Sequence, residues 1–360
     1  MVPIPEPITF SICIPQHNRS RYLLAVLDSL RTQRYPHFEV VVSDDGSTDD
    51  TAEVVPAYLE ASGMRYRFHR KERNLGYDAN LRASLALGTG DYLLILGNDD
   101  ALADENALAD LAGALESHGR PEVAISNYRF WTADGDGAEV RRVPQTTLLP
   151  GGPTTAIDRY RDFAFVAGIV FARDAFTQAN TSSYDGSIFV QVYLGCKVIT
   201  DGGRLLLWNR ALVAKDVKVG GQPANSYKDV ERQRKRKLEP HSQGVSSIAW
   251  VACEAVFSAL TDPVARNQAL IRIYKTLLRY TYPYWLYAHR KESFWRAAFC
   301  MAWGCYPTIL LKPVEHPWWV TLKLFPTYTI STIAGFFLPV SLLSRLMPWG
   351  YRLSKRLPKT

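Results

Sequence analysis

The most constraining feature of the sequence is an alternation. Across residues 8–127, short apolar runs alternate with longer stretches whose apolar positions recur at helical spacing. Residues 8–14, 38–43, 66–69, 92–96 and 123–127 read as strands, and residues 21–33, 48–60, 77–87 and 103–116 read as helices. In 21–33 the apolar set is Leu23, Leu24, Leu27 and Leu30, one face of a helix. Parallel strands cannot be joined by a tight hairpin and need a crossover, most often a helix. The alternation therefore predicts an α/β fold with a mostly parallel, Rossmann-like sheet. Such a sheet binds ligands in the crevice outside the carboxyl ends of its strands. The loops that follow the strands are where chemistry is expected.

Four of those loops are polar. They read Pro15-Gln16-His17-Asn18-Arg19, then Asp44-Asp45-Gly46-Ser47-Thr48-Asp49, then Arg73-Asn74-Leu75-Gly76-Tyr77-Asp78-Ala79-Asn80, then Gly97-Asn98-Asp99-Asp100. Each alone has an ordinary reading as a turn and a helix cap, with Ser47 or Asp49 capping the second helix. Four at one end of one sheet point to a site. A carboxylate after the second strand can accept the N–H of a uracil-like base or a sugar hydroxyl. Paired carboxylates after the fourth can hold one hard divalent cation, which takes its other oxygens from a diphosphate and water. Neither Gly-x-Gly-x-x-Gly nor a Walker A loop occurs, so the pattern is a nucleotide site with a metal rather than a dinucleotide or P-loop site.

Taken in order, Ile-Cys-Ile-Pro-x-His-Asn-Arg, Val-Val-Ser-Asp-Asp-Gly-Ser-Thr-Asp, Asn-Leu-Gly-Tyr-Asp-Ala-Asn-Leu and Gly-Asp-Tyr-Leu-Leu-Ile-Leu-Gly-Asn-Asp-Asp resemble family 2 glycosyltransferases of the bacterial O-antigen, abequosyltransferase-like type. The resemblance covers about residues 8–205 and is most specific over 8–105. It implies a GT-A fold, a nucleotide-diphosphate-sugar donor, Mn²⁺ or Mg²⁺, and inversion at the anomeric carbon. It places Pro15, His17, Asn18, Asp45, Asn74, Gly76, Asn80 and Asp99 in the nucleotide-sugar site and makes Asp100 the metal ligand. Asp45 matches the base contact and Asp99 the carboxylate near the ribose. His17 stands where the family usually has Tyr, Gln16 replaces a small hydroxyl residue, and Asn98 breaks the literal DxD motif. Gly76 fits a close approach of backbone to ligand, or simply the start of a helix.

Inversion needs a carboxylate that takes the proton of the attacking hydroxyl. The resemblance implies a Glu-Asp pair at a helix start about ten residues before Gly-x-Lys. Here Gly195-Cys196-Lys197 is preceded by Tyr184-Asp185-Gly186-Ser187, with one carboxylate. Asp185 is the candidate base, at a position where a helix N-terminus would favour an anion. A plain helix cap is its alternative, and Asp158 and Asp162 are reserves.

Composition bears on the remainder. The five cysteines are scattered, with no CxxC pair, so neither a disulfide framework nor a zinc site is implied and a reducing compartment fits. The start carries no basic n-region, so 8–14 reads as a strand rather than a signal peptide. The net charge of +7 is concentrated: from Arg290 onward there are ten Lys/Arg, two Asp/Glu and five of the nine tryptophans. That mixture favours an anionic membrane surface over nucleic acid. The expected division is 1–210 catalytic, 211–289 helical with a basic segment at 230–238, and 290–360 as membrane-interface helices. Of the uncharged runs 297–311 and 324–343, the first is short for a span and the second is interrupted by Pro326 and Pro339. The expectation is peripheral or monotopic attachment to the cytoplasmic face of the inner membrane. A polyprenyl-diphosphate-linked glycan acceptor for surface polysaccharide synthesis would be reached there. A nucleotidyltransferase and a non-catalytic nucleotide-binding partner remain as rival classes.

Overall fold

Four parallel strands lead the chain: β1 (Phe10–Gln16), β2 (Phe38–Asp44), β3 (Tyr66–Arg70) and β4 (Tyr92–Ile95), in the spatial order β3-β2-β1-β4. They are joined by α1 (Ser20–Arg31), α2 (Thr51–Ser62) and α3 (Tyr77–Ala86). The structure is a computed structural model and describes residues 6–132, 137–224 and 243–346. The chain divides into two units, Met1–Ala224 and Asn225–Thr360. Because β2 leaves β1 on one side and β4 on the other, the strand order reverses at β1, which opens a crevice at its carboxyl end. On the outer edge, β3 carries Arg67 and Arg70, charges that discourage further pairing.

The sheet continues with β5 (Ala101–Leu102), β6 (Val123–Phe130), β7 (Glu139–Val140), β8 (Thr147–Leu149), β9 (Val170–Ala172) and β10 (Leu205–Lys215). β10 runs parallel to β6, whereas the three-residue β9 lies antiparallel between β4 and β6 and β5 lies antiparallel on the end of β10. Helices α4 (Ala107–Ser117), α5 (Pro153–Arg159), α6 (Arg173–Ala179) and α7 (Val190–Thr200) complete the unit with the hairpin Lys218–Val219 and Gln222–Pro223. Phe10, Ile12, Ile14, Leu23, Val26, Leu27, Leu30, Val40 and Val42 form one buried cluster with Leu94 and Leu108. Truncating one of these, as in Leu27→Ala, costs about 2–5 kcal/mol.

Several boundaries differ from the sequence expectation, each for a local reason. α2 starts at Thr51 rather than at 48, because the Ser47 N–H and hydroxyl turn back onto the Asp44 carboxylate. Neither Ser47 nor Asp49 is its N-cap residue, which is Asp50, although Asp49 Oδ1 accepts the Thr51 N–H at 3.1 Å. Residues 101–102 pair with β10, so α4 begins only at Ala107. β10 runs through residue 210, and the first unit closes at Ala224.

The second unit is helical where described. Asp262 caps the helix Pro263–Thr276, its carboxylate accepting from the Val264 and Ala265 N–H groups, with Pro263 at the first position where its missing N–H costs nothing. The chain then widens into a π-helical turn, Leu277–Thr281, before the helix Tyr282–Lys291. Pro283 has no N–H to offer the preceding turn, and the Tyr282 N–H reaches back to Leu277 instead. Trp295–Gly304, Pro307–Leu310 and Trp318–Phe337 follow. The last contains Pro326 without breaking and ends before Pro339, so only the second proline interrupts the 324–343 run. Among the described residues, no helix is long and apolar enough to cross a membrane. The basic segment 230–238 and the residues from 347 onward lie outside the described residues.

One face of these helices is apolar and exposed. Trp295, Phe299 and Trp303 follow helical spacing along one helix, with Tyr306 exposed just beyond its end, and Trp318, Leu322, Ile330, Ile333 and Phe337 follow it along the other. Trp295 stacks on the half-buried Phe336 and Tyr306 meets the half-buried Phe325 edge-on, so the two stretches touch at two places.

Candidate functional site

β1 and β2 finish in register, with Gln16 opposite Asp44, so the first two polar loops leave the sheet side by side. Asn18 and Arg19 turn the chain through positive φ, 55° and 62°. The Asn18 N–H donates to Ser47 Oγ at 2.7 Å, and Asn18 Oδ1 accepts the Thr48 N–H at 2.8 Å. Gln16 is fully buried and ties three places together. Its Nε2 donates to the Asn18 carbonyl and to Thr51 Oγ1, and its Oε1 accepts from Asn98 Nδ2 at 2.8 Å. Asn98, in the first place of the broken acidic motif, thus links the fourth loop to the first. Pro15 is half-buried at the end of the same strand.

The Asp45 carboxylate, 2% exposed, is the anchor of the third loop. Oδ1 accepts from Lys71 Nζ at 3.1 Å and from the Leu75 N–H at 3.0 Å, while Oδ2 accepts the Gly76 N–H at 3.0 Å. Its remaining lone pairs are what a base or sugar could use. Gly46 makes the crossing of these two loops possible: its φ is +67°, and a Cβ there would meet the Arg73 backbone at 2.8–2.9 Å. Gly76 is needed for conformation rather than space, since its φ is +95° and a Cβ would meet no protein atom within 4 Å. Gly76 is also the residue that caps the start of α3, and the space beside it is open on the protein side.

His17 is held between the loops. Nδ1 lies 3.1 Å from the Asp45 carbonyl, and Nε2 lies 3.1 Å from Asn74 Nδ2 and 3.3 Å from Asn18 Nδ2. Asn74 Oδ1 accepts the Gly76 N–H and Asn18 Oδ1 accepts from Thr48, which assigns both amides with nitrogen toward the ring. This arrangement suits the tautomer carrying its proton on Nδ1. A half-buried imidazole fixed on both edges is a flat plate on which a base can stack. Asn80, 3% exposed, is spent within the protein: Oδ1 accepts from Ser43 and Lys71, and Nδ2 donates to the Gln16 carbonyl. It braces these loops from within.

The fourth loop holds Asp99 and Asp100. Asp100 is 6% exposed, and its Oδ1 accepts the Asp216 N–H at 3.1 Å; the Asp99 carbonyl accepts the Val217 N–H at 2.8 Å. Burial, with the neighbouring charges of Asp99 and Asp216, pushes the Asp100 carboxyl well above its ordinary range. A Cβ at Gly97 would meet Asp100 Oδ2 at 2.6 Å, so the glycine makes room for the carboxylate. Hard oxygen donors crowded together fit a divalent cation that keeps most of its ligands from elsewhere. Among the described residues, no three His, Cys, Asp or Glu side chains converge as a complete cage.

Asp185 lies in a turn five residues before α7, not at a helix start. Arg82, on α3, holds it: Nε donates to Oδ1 at 2.8 Å and Nη2 to Oδ2 at 2.5 Å. The anion at the start of α7 is Asp78, whose Oδ1 accepts the Val190 N–H at 3.1 Å. Of the reserves, Asp162 is 5% exposed and pairs with Arg159 at 3.5 Å. Asp158 is half-buried within α5. Lys71, Asp78 and Arg82 were not anticipated. The i, i+4 spacing of Asp78 and Arg82 marks one helix face, yet it reads as an ordinary surface pair. A cavity of about 330 Å³ lined by Asp104, Arg129, Glu139, Arg141, Asn209 and Arg210 includes none of the candidate residues.

Residues 11–168 match the family model described as Glycosyl transferase family 2, so this stretch is a family 2 glycosyltransferase domain. The chain is similar to abequosyltransferase RfbV of Salmonella typhimurium, 39% identical over 217 residues, covering 54% of this chain and 62% of that protein. It is also similar to a PGL/p-HBAD biosynthesis glycosyltransferase of Mycobacterium bovis, 38% identical over 109 residues, covering 30% of this chain and 42% of that one. The chain thus spans less than two thirds of either relative. Its fold is that of Staphylococcus aureus TarS 1–349 solved with UDP-GlcNAc, with a TM-score of 0.55 at 17% identity over 97% of this chain and 88% of that one. The fold is shared too with a Pyrobaculum calidifontis mannosyltransferase solved with GDP-Man and Mn²⁺, with a TM-score of 0.52 at 15% identity over 98% of this chain and 87% of that one.

Proposed function

We propose that the chain is an inverting glycosyltransferase that moves a sugar from a nucleotide-diphosphate-sugar to the hydroxyl of a lipid-linked glycan. The observation that carries this reading is the convergence of four loops at the β1–β4 switch point, with Asp45 and His17 held by hydrogen bonds to one another's loops and the Asp99–Asp100 loop tied to the first loop through Asn98 and Gln16. His17 and Asp45 serve the base, Asn74 and Gly76 line the donor, and Asp99 lies toward the ribose. Asp100, with Asp99, would hold Mn²⁺ or Mg²⁺, which when bound offsets the charge that develops on the departing nucleoside diphosphate. Asp185 takes the proton from the acceptor hydroxyl: its side chain is 26% exposed, and Arg82 occupies one lone pair on each oxygen, leaving others open.

The exposed apolar face of the second unit supports interfacial attachment to a membrane. Lys291, Arg296, Lys312, Lys323 and Arg345 are exposed in this region against the acidic Glu292 and Glu315, a balance suited to anionic lipid. Attachment at the cytoplasmic face of the inner membrane would bring the site to a polyprenyl-diphosphate-linked acceptor. Likeness to an abequosyltransferase supports an O-antigen-like product.

The test begins with a panel of nucleotide sugars. One donor should stabilise the protein against heat only with Mn²⁺ or Mg²⁺, and turnover should release a nucleoside diphosphate. Release of pyrophosphate would favour a nucleotidyltransferase, and binding with no turnover a non-catalytic partner. With the donor known, Asp185→Asn should lower kcat by about two to four orders of magnitude, the range for loss of a general base, while donor affinity is kept. Ordinary turnover would remove Asp185 from the role.

A further inference from the structure

We propose that Arg82 and Asp78, one turn apart on α3, are positioning residues that set the orientation of Asp185. The inference rests on Asp185 being the base. The backbone of its loop is held in an unfavourable shape: Ile188 has φ 61°, a left-handed conformation that a β-branched residue rarely adopts, and Gly186 has φ 92°. Such strain persists only where the surroundings over-determine it. Asp78 supplies that determination. It is 2% exposed, and its carboxylate accepts the Ile188 N–H at 2.6 Å and the Val190 N–H at 3.1 Å, with Ser187 Oγ at 3.4 Å.

Arg82 completes the arrangement from the same helix. Its guanidinium spans Asp185 with two parallel bonds, and Nη1 donates to Asn180 Oδ1 at 3.1 Å, so the fork is fixed on three arms. A planar fork of this kind dictates the plane of the carboxylate it binds. The α3 helix opens at Gly76, whose N–H is held by Asp45 in the donor site. One rigid helix therefore carries the donor loop at its start and fixes the base loop from its side. The distance between donor and base becomes a property of α3, not of two separate loops.

The experiment is a double-mutant comparison on the full-length enzyme with its donor and acceptor. Arg82→Ala should lower kcat by about a hundredfold, the cost of a misplacement near 1 Å, with donor KM unchanged. Arg82→Lys should fall between, and added guanidinium ion should restore part of the kcat of Arg82→Ala. In an Asp185→Asn background, Arg82→Ala should cause no further loss, because the group it positions is already gone. Asp78→Asn should repeat the kcat loss with unchanged donor KM.

Unchanged kcat in Arg82→Ala would overturn the proposal. So would an equal loss of kcat with or without the Asp185 carboxylate, the mark of a merely structural salt bridge. Failure of the base assignment appears separately, as ordinary turnover in Asp185→Asn alone. Thermal midpoints of every variant identify any loss that comes from unfolding.

Discussion

The two units depart from ordinary burial in opposite directions. The first puts charge inside: Glu39, Asp44, Asp45, Asp78, Asp100, Arg142, Arg159 and Asp162 are all buried, whereas the only buried ionisable side chain of this kind described in the second is His289. Among the described residues, the second puts large apolar side chains outside, more than twice as many as the first. Burying a carboxylate is costly unless hydrogen bonds or a partner compensate. Exposing a contiguous apolar face is unfavourable unless something covers it. The difference separates a unit that spends stability on a site from one that spends it on a surface.

The sharpest way to break this comparison is at Asp100. If the first unit's interior charge serves a cation, Asp100→Ala should lower transfer by roughly three orders of magnitude, several kcal/mol of charge stabilisation at 1.36 kcal/mol per decade. It should also remove the metal dependence of nucleoside diphosphate binding measured by calorimetry. Near-normal turnover at low Mn²⁺ would leave Asp100 a structural carboxylate.

The apolar face can be tested without touching the site. Trp303→Ser with Phe337→Ser removes two rings that are 43% and 81% exposed. Partition onto anionic vesicles should fall about tenfold or more, from lost apolar burial, while the thermal midpoint hardly moves because neither ring is in the core. Binding of the parent should also weaken with salt, since the basic flank is screened over about 8–10 Å at physiological ionic strength. A parent that ignores anionic vesicles at low salt would leave this face to a protein partner.

The smallest effect sharpens the interior side. Burial raises the Glu39 carboxyl, but hydrogen bonds from Ser11, Thr89 and Arg67 together hold it below its ordinary value. Its charged form therefore adds stability that is present above the unfolded value and is lost as pH falls through the folded one. Glu39→Gln should cost about 1–3 kcal/mol at neutral pH, the worth of bonds to a charged acceptor. The gap between mutant and parent in urea unfolding should close as the medium is acidified below about pH 4.5. A gap independent of pH would mean that the site senses shape and not charge.

How much of this was readable beforehand follows from range. The first four strands and their helices were legible because each is a local signal, a short apolar run for a strand and a period near 3.6 for a helix. β9 was not, since three residues carry no period and its place between β4 and β6 is set by pairing alone. Asp45, His17 and Asp100 could be singled out because they lie in polar loops that follow strand ends and match the family's motifs. Arg82 was missed because its partner is 103 residues away, a separation that no local signal spans. Asp185 was noticed for its distance from Gly195, but the anion on the helix start proved to be Asp78. In the second unit, composition gave the Trp-rich basic character. The exposed face required knowing that the helix opens at Trp318, upstream of the uncharged run.

The placement of β9 also imposes an order in time. A chain is made from its first residue, and β4 is complete at Ile95, with all four of its side chains destined for the core. Its second neighbour, β9, begins only at Val170, and β5 waits for β10, which ends at Lys215. During synthesis the half-sheet β3-β2-β1-β4 thus stands with an apolar edge open while the intervening chain emerges. An open edge of that kind accepts any extended strand that reaches it. The antiparallel wedge that joins β4 to β6 is therefore also what closes the open edge of β4.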